Sequence, residues 1–336
     1  MEIFFLVVIA AGLYMAWNIG ANDTANSIGT SVGSGVLGMR GALLRICIFD
    51  FLGAVLFGSY VTKTIGKGIV SLDKVPSTDL IVIGALSSLL GAGIWLTIAT
   101  WRGLPVSTTH SIVGAVLGFG LVAAGWQGIK WEVMKKIVAS WFTSPIAGAV
   151  GAFLIYTLLI KRFVLKRAKN VKKAEKVFGY LQVATAMYVG FAFGSNDVAN
   201  AVGPIYMILT YRGAEAVNPI GLLALGAFGI ILGTITWGYK VIETIGKKVT
   251  EITPTRGFAA EFSAASVILV ASAVGMPIST THTVVGAVIG VGFARGIKAL
   301  NIRIIYRILI SWFVTVPLTA IFSVAIFLLV RAWLGV

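Results

Sequence analysis

Long apolar stretches separated by short polar ones dominate the chain. They fall at roughly 3–17, 42–60, 80–100, 111–125 and 137–160, and again at roughly 178–194, 218–238, 258–275, 283–294 and 304–330. A helix needs about 20 apolar residues to cross a bilayer, so most of these read as transmembrane helices and the shorter ones as partial or broken spans. In lipid the backbone must satisfy its own hydrogen bonds, which favours helices over alternating strands. Of the 336 residues, 58% are hydrophobic and only 12% charged, a balance that excludes an ordinary soluble domain. The expected class is an all-α polytopic membrane protein.

The pattern is doubled. GANDTANSIG at 20–29 returns as GSNDVANAVG at 194–203, and PVSTTHSIVGAVLGFG at 105–120 returns as PISTTHTVVGAVIGVG at 277–292. Thr64-Ile65-Gly66-Lys67 returns as Thr244-Ile245-Gly246-Lys247. Ser140-Trp141-Phe142 returns as Ser311-Trp312-Phe313, with Pro145 and Pro317 following. Matches in one order along both halves indicate a full-length duplication: a first repeat at 1–160, a basic linker at 161–177 and a second repeat at 178–336. About five membrane segments per copy, an odd number, insert the second repeat upside down.

Charge bears on orientation. The formal net charge is +15, and its densest run is KRFVLKRAKNVKKAEK at 161–176. Basic residues gather in cytoplasmic loops, so this run reads as a cytoplasmic linker and not as a nucleic-acid patch. Both termini are then extracytoplasmic, and 19 of the 27 Lys and Arg residues lie on the linker's side. The lone Cys47 sits in an apolar run and excludes an intrachain disulfide. The opening MEIFFLVVIA lacks a basic n-region and a cleavage motif, and reads as a retained first helix instead of a signal peptide.

Polar groups inside apolar sequence are costly and point to function. Asp23 and Asp197, with Asn22, Asn26 and Asn200 nearby, supply the hard oxygens that a dehydrated Na⁺ requires. Glycines crowd behind the first cluster, at 29, 33, 35, 38 and 41. They suit either helix packing or an unwound, re-entrant segment near 20–30 lining a polar cavity, and the latter is the expectation. Pro105 and Pro277 end an element, and the Ser107-Thr108-Thr109 and Ser279-Thr280-Thr281 clusters start helices. Two such N-termini meeting from opposite leaflets would suit a tetrahedral oxyanion. His110 and His282 occupy equivalent positions as a proton relay or as helix caps; they are weak evidence for a metal site. Asp50 and Glu261 lack acidic counterparts in the other copy, where Ile230 and Leu89 stand. They are candidate coupling-ion ligands, with a helix-end carboxylate reaching the interface as the rival reading. No Lys or Arg is near either motif except Arg102, so dipoles, hydroxyls and co-transported cations must offset an anion's charge. A protonated phosphate can donate to Asp23 or Asp197, whereas sulfate cannot.

These paired segments resemble the signature of the inorganic phosphate transporter (PiT) family, and the resemblance covers nearly the whole chain. It implies a homodimeric secondary transporter of the cell membrane, with inverted repeats, that moves inorganic phosphate with Na⁺ or H⁺. Its phosphate-site residues would fall on Asn22, Ser107, Thr108, Thr109, Asn196, Ser279, Thr280 and Thr281. Its coupling-ion residues would fall on Asp23, Asn26, Asp197 and Asn200, and its functionally important acids on Asp50 and Glu261. The large soluble central loop of animal members is missing here, so no regulatory domain is expected.

The resulting expectation is a Na⁺-coupled phosphate importer working by alternating access, with discontinuous or re-entrant helices at the midplane. It has no cofactor beyond the coupling ion and is not an enzyme. Its nearest rival is a proton-coupled phosphate or sulfate permease. More remote are an anion pore and an intramembrane hydrolase built on Ser107/His110 and Ser279/His282, which lacks an orienting acid in sequence.

Overall fold

The computed structural model describes every residue except 1, 212, 214–218, 239–251, 297 and 299, and the side chains of 2, 3, 24–26 and 304 also lie outside the description. The repeated Thr244–Lys247 segment therefore falls outside the described residues, as does the side chain of Asn26.

The first half holds α1 (Glu2–Gly33), α2 (Met39–Lys67), α3 (Thr78–Trp101), α4 (Thr108–Ala124) and α5 (Trp131–Leu154), the last running on as a π-helix over Ile155–Leu165. The second half holds α6 (Val171–Tyr211), α7 (Ile220–Trp237), α8 (Pro254–Ala273), α9 (Thr280–Phe293) and α10 (Ile302–Leu334). Eight of these are long and apolar enough to cross a membrane, whereas α4 and α9 have only 17 and 14 residues. At about 1.5 Å rise per residue the two short helices reach roughly 21–26 Å, less than the ~30 Å hydrocarbon core. They are the partial spans expected at 111–125 and 283–294.

Each short helix is the return arm of a hairpin, and the two hairpin tips are built alike. Gly103 and Gly275 adopt positive φ (65° and 71°), a conformation that favours glycine. The N–H of Leu104 donates to the Ala99 carbonyl (2.9 Å) and that of Met276 to the Ala271 carbonyl (2.8 Å), a Schellman closure of α3 and of α8. Pro105 and Pro277 then keep the chain extended. Helix resumes at Ser107 and Ser279, whose hydroxyls accept from the N–H of His110 (3.1 Å) and His282 (3.2 Å). The end of α4 lies beside the approach to α3, where the Ser71 N–H donates to the Gly128 carbonyl (2.8 Å).

Residues 20–30 do not unwind. α1 is continuous through Gly33 and α6 through Tyr211, so the expected re-entrant segment near 20–30 is replaced by unbroken helix. Two physical reasons apply. The polar side chains of Asn22 and Asp23 find partners on other elements, so the backbone ladder need not open to satisfy them. Gly20 serves packing: a Cβ on it would collide with the Ile230 carbonyl, and one on Gly233 with the Trp17 carbonyl, whereas a Cβ on Gly35 or Gly38 would meet open space. The non-helical backbone sits instead at 102–107 and 274–279, where proline forbids a helix.

The same crossing is made twice. A Cβ on Gly194 would meet the Asp50 carbonyl and one on Gly53 the Phe191 carbonyl, so α2 lies against α6 as α7 lies against α1. Likewise α5 packs on α9 and α4 on α10. The first five helices and the last five are thus interlocked, each set covering the other's apolar surface. Much of the basic stretch between them is helical, with only 166–170 lying between the π-helix and α6.

Gly194→Ala is expected to lower thermal stability, since the α2–α6 approach leaves no room and overpacking costs about 1–3 kcal/mol. Gly221→Ala, whose added Cβ meets open space, is expected to leave the melting temperature of the purified protein unchanged or raise it slightly.

Candidate functional site

The two hairpin tips meet at the centre of the molecule and are stitched by reciprocal bonds. Thr109 Oγ1 donates to the Ile278 carbonyl (2.9 Å), and Thr281 Oγ1 donates to the Val106 carbonyl (3.2 Å). Every residue of both Ser-Thr-Thr-His runs is at most 3% exposed. The starts of α4 and α9 therefore face one another in the interior, with their N–H groups and positive dipole ends directed at the same region.

The Asn-Asp clusters close around this junction. Asp23 on α1 accepts from Thr108 Oγ1 of α4 (2.7 Å) and from Thr281 Oγ1 of α9 (3.1 Å), so one carboxylate ties both helix starts together. Asp197 on α6 accepts from Thr280 Oγ1 (2.9 Å). Asn200 Nδ2 donates to Thr108 and Thr109 (3.2 Å each).

The remaining asparagines fasten the hairpins to the long helices. Asn22 Nδ2 donates to Thr100 Oγ1 (2.9 Å) and to the Leu104 carbonyl (3.1 Å), and its Oδ1 accepts from the Val106 N–H (3.2 Å). Asn196 Nδ2 makes the equivalent bonds to Ser272 Oγ (3.1 Å) and the Met276 carbonyl (3.2 Å). Three buried acceptors here have no partner among the described residues: Oδ1 of Asn196, of Asp197 and of Asn200. Buried polar oxygens without partners cost free energy, so this donor-poor trio fits a cation or a hydroxyl-bearing anion.

Beside the junction lies a small cavity, with room for about one water-sized sphere (≈ 10 Å³). Asp23, Asp197 and Asp50 all line it, with Ser27, Ile46 and Ile230 among its other walls. The tight α2–α6 crossing at Gly194 brings in Asp50, and the equivalent α7–α1 crossing at Gly20 brings in Ile230. Asp23 and Asp197 are matched walls, whereas the first half adds a carboxylate, Asp50, where the second supplies the hydrocarbon side chain of Ile230. Three carboxylates around so small a space repel one another strongly in low dielectric, and a cation between them removes that repulsion.

Glu261 stands apart from this trio. Its Oε1 accepts from Thr30 and Ser31 of α1 (2.5 and 2.6 Å) and from Gln182 of α6 (3.0 Å), and its Oε2 accepts from Thr185 (2.6 Å). It is 3% exposed, which removes the reading of a helix-end carboxylate at the interface. It lies beside α1 residues seven and eight positions past Asp23, about 11 Å along the helix.

The histidines face a different surroundings. His110 and His282 lie edge to face with ring centroids 4.3 Å apart, against Trp141 (3.8 Å) and Trp312 (3.4 Å). Neither imidazole caps its helix, a task left to the serine hydroxyls. The repeated Ser-Trp-Phe segments thus pack on the repeated histidines.

Sequence reasoning passed over Thr100 and Ser272, each a buried partner of an asparagine. A signal existed, since both stand five residues before the hairpin proline. It also passed over Gln182, Thr185, Thr30 and Ser31, which have no matched counterparts to draw attention.

Comparison with known proteins agrees with this arrangement. The sequence model described as "Phosphate transporter family" matches residues 19–323. A protein of Pyrococcus furiosus named as a phosphate permease is 43% identical, over 96% of this chain and 95% of its own. "Inorganic phosphate transporter 2-1, chloroplastic" of Arabidopsis thaliana is 40% identical over 93% of this chain and 70% of its own. A solved structure titled "The sodium-dependent phosphate transporter" superposes with a TM-score of 0.90 at 38% identity, covering 99% of this chain and all of that one.

Glu261→Ala is expected to destabilise the protein by at least about 3 kcal/mol, because it strips the acceptor from four buried donors. Glu261→Gln, which keeps one acceptor oxygen, is expected to cost less than half of that in the same thermal melt.

Proposed function

The chain belongs to the phosphate transporter family, and from that premise we propose that it imports inorganic phosphate together with Na⁺ by alternating access. The observation that carries this reading is the position of Asp23, bonded at once to a hydroxyl of each hairpin. In the arrangement described, the threonines that would hold an oxyanion donate instead to carboxylates: Thr108 and Thr281 to Asp23, and Thr280 to Asp197.

Exchange of partners follows from this. Phosphate oxygens take the hydroxyl donors and the N–H groups at the starts of α4 and α9. Asp23 and Asp197 are then left without donors in a buried, low-dielectric site, and Na⁺ supplies the opposite charge. Cation and anion each remove the penalty that the other's entry creates, which couples their transport. Asp50 completes the cation's shell from the cavity side. Among the unpartnered oxygens of Asn196, Asp197 and Asn200, one can accept from the hydroxyl of a protonated phosphate, and fully ionised sulfate has no such donor. The sodium dependence named for the similar solved structure supports Na⁺ as the coupling ion.

The orientation proposed from charge, with 161–176 cytoplasmic and both termini outside, puts the α3–α4 hairpin's open end at the outer face and the α8–α9 hairpin's at the inner face. Access then alternates as one interlocked layer rocks on the other about the junction.

In proteoliposomes with the Na⁺ and pH gradients varied separately, phosphate uptake is expected to follow Na⁺; uptake indifferent to Na⁺ removes it as the coupling ion. Asp23→Asn and Asp197→Asn are expected to abolish Na⁺-driven uptake while the protein still purifies as a folded species, and wild-type rates in both would take these acids out of the site. Thr281→Val is expected to weaken phosphate binding by about 1–3 kcal/mol through loss of a buried donor, read as the shift in phosphate concentration giving half-maximal uptake.

A further inference from the structure

A second cavity, apart from the closed junction, opens at the end of the molecule where α2 finishes. It measures about 450 Å³ and is walled by Lys63, Thr64 and Lys67 of α2, Lys136 of α5, and Gly275 and Met276 of the α8–α9 tip. No acidic residue lines it. Six lysines crowd this end, at 63, 67, 74, 130, 135 and 136, and three have evident structural tasks. Lys74 donates to the Gln127 carbonyl (2.8 Å), Lys130 to the Lys67 carbonyl (2.7 Å), and Lys135 pairs with Glu132 (2.7 Å). Lys67 lies over the Tyr206 ring at 5.9 Å, while Lys63 and Lys136 pair with no carboxylate among the described residues.

This concentration runs against the general bias. With the 161–176 run cytoplasmic, these lysines lie on the outer side, where positive residues are otherwise sparse in this chain. Their cavity also abuts the transport site. Its wall residue Met276 offers the carbonyl that fixes Asn196 (3.2 Å), and Thr64 Oγ1 donates to the Gly275 carbonyl (2.6 Å), tying the lysine-bearing end of α2 to the hairpin tip. Two residues further on, the Ile278 carbonyl holds Thr109 (2.9 Å). The cavity's wall at Gly275 and Met276 thus runs directly into the Ser279-Thr280-Thr281 hydroxyls along the same tip. That inner site has no cation of its own from Lys or Arg, so an anion arriving from water gains no attraction there until Na⁺ is present.

We propose that Lys63, Lys67 and Lys136 form an outward-facing recruiting subsite for a tetrahedral phosphate oxyanion, which they hold before it passes the 274–279 tip to the hydroxyl cluster. This deepens the transport reading and rests on it. A cleft lined by one sign of charge raises the local concentration of its counter-ion and speeds association, roughly tenfold or more at low ionic strength. The effect fades as the ionic strength rises and the Debye length shortens to about 8 Å at physiological salt. The same lysines could bind the phosphate of a lipid headgroup, and the test separates the two sources.

The test is Na⁺-driven phosphate uptake by wild type, Lys63→Gln/Lys136→Gln and Lys63→Arg/Lys136→Arg. The protein is reconstituted in neutral phosphatidylcholine and, in parallel, with added phosphatidylglycerol, at fixed Na⁺ and increasing N-methylglucamine gluconate. In neutral lipid the Gln pair is expected to raise the phosphate KM about 3- to 10-fold and to lose the salt dependence of KM seen in wild type, with the Arg pair restoring both. A KM and salt response unchanged by the Gln pair overturns the subsite. So does a defect confined to vesicles with phosphatidylglycerol, which assigns the lysines to lipid headgroups, or a lowered melting temperature with no change in salt response, which assigns them to the α2 terminus. Wild-type protein that carries no phosphate in either lipid would instead fail the transport reading beneath the proposal.

Discussion

A carboxylate accepting hydroxyls from two opposed helix starts holds the centre of this protein together. Asp23 reaches Thr108 at the head of α4 and Thr281 at the head of α9, and without it two positive dipole ends would face each other across a dry interior. The long helices exist, in effect, to present that side chain and its equivalent, Asp197. α1 and α6 stay helical through their polar segments because the hairpin tips satisfy Asn22 and Asn196 from the side. The tips in turn stay open because proline and a left-handed glycine prevent α3 and α8 from continuing. From Pro105 and Pro277 onward the non-helical backbone of these two turns is buried in protein, where a bilayer tolerates it.

Much of this was legible from repetition. The paired Asn-Asp and Pro-x-Ser-Thr-Thr-His segments carried both the functional residues and the hint of opposed helix starts, because a doubled polar cluster has no packing explanation. Less was legible where one signal had two physical sources. Glycine around residue 20 suits an unwound segment or a close helix crossing; the meeting of Gly20 with Ile230, set by tertiary packing, makes it a crossing there, while Gly35 and Gly38 face open space. Asp50 stood out as an unmatched acid, yet its place beside Asp23 and Asp197 depends on how α2 registers against α6, which no local pattern encodes. Glu261 stood out for the same reason, but its company of Thr30, Ser31, Gln182 and Thr185 comes from two helices far away in sequence.

Interlocking has an energetic side. Each half leaves an apolar surface that the other half covers, α2 on α6 and α7 on α1, and lipid offers little driving force for such association beyond close packing. Glycine at the crossings brings the backbones together so that dispersion contacts accumulate. The contacts come in matched pairs on either side of the polar centre, and α2 meets α6 more extensively than α7 meets α1.

The cavity wall that carries Asp50 on one side and Ile230 on the other has a consequence of its own. Were the duplicated halves identical and inverted, the two access states proposed above would be related by a two-fold rotation, and the empty protein would spend equal time in each. One acid facing one branched hydrocarbon breaks that degeneracy. The two proposed resting shapes would then differ in energy, and unmatched acids such as Asp50 and Glu261 would give the unloaded protein a preferred doorway.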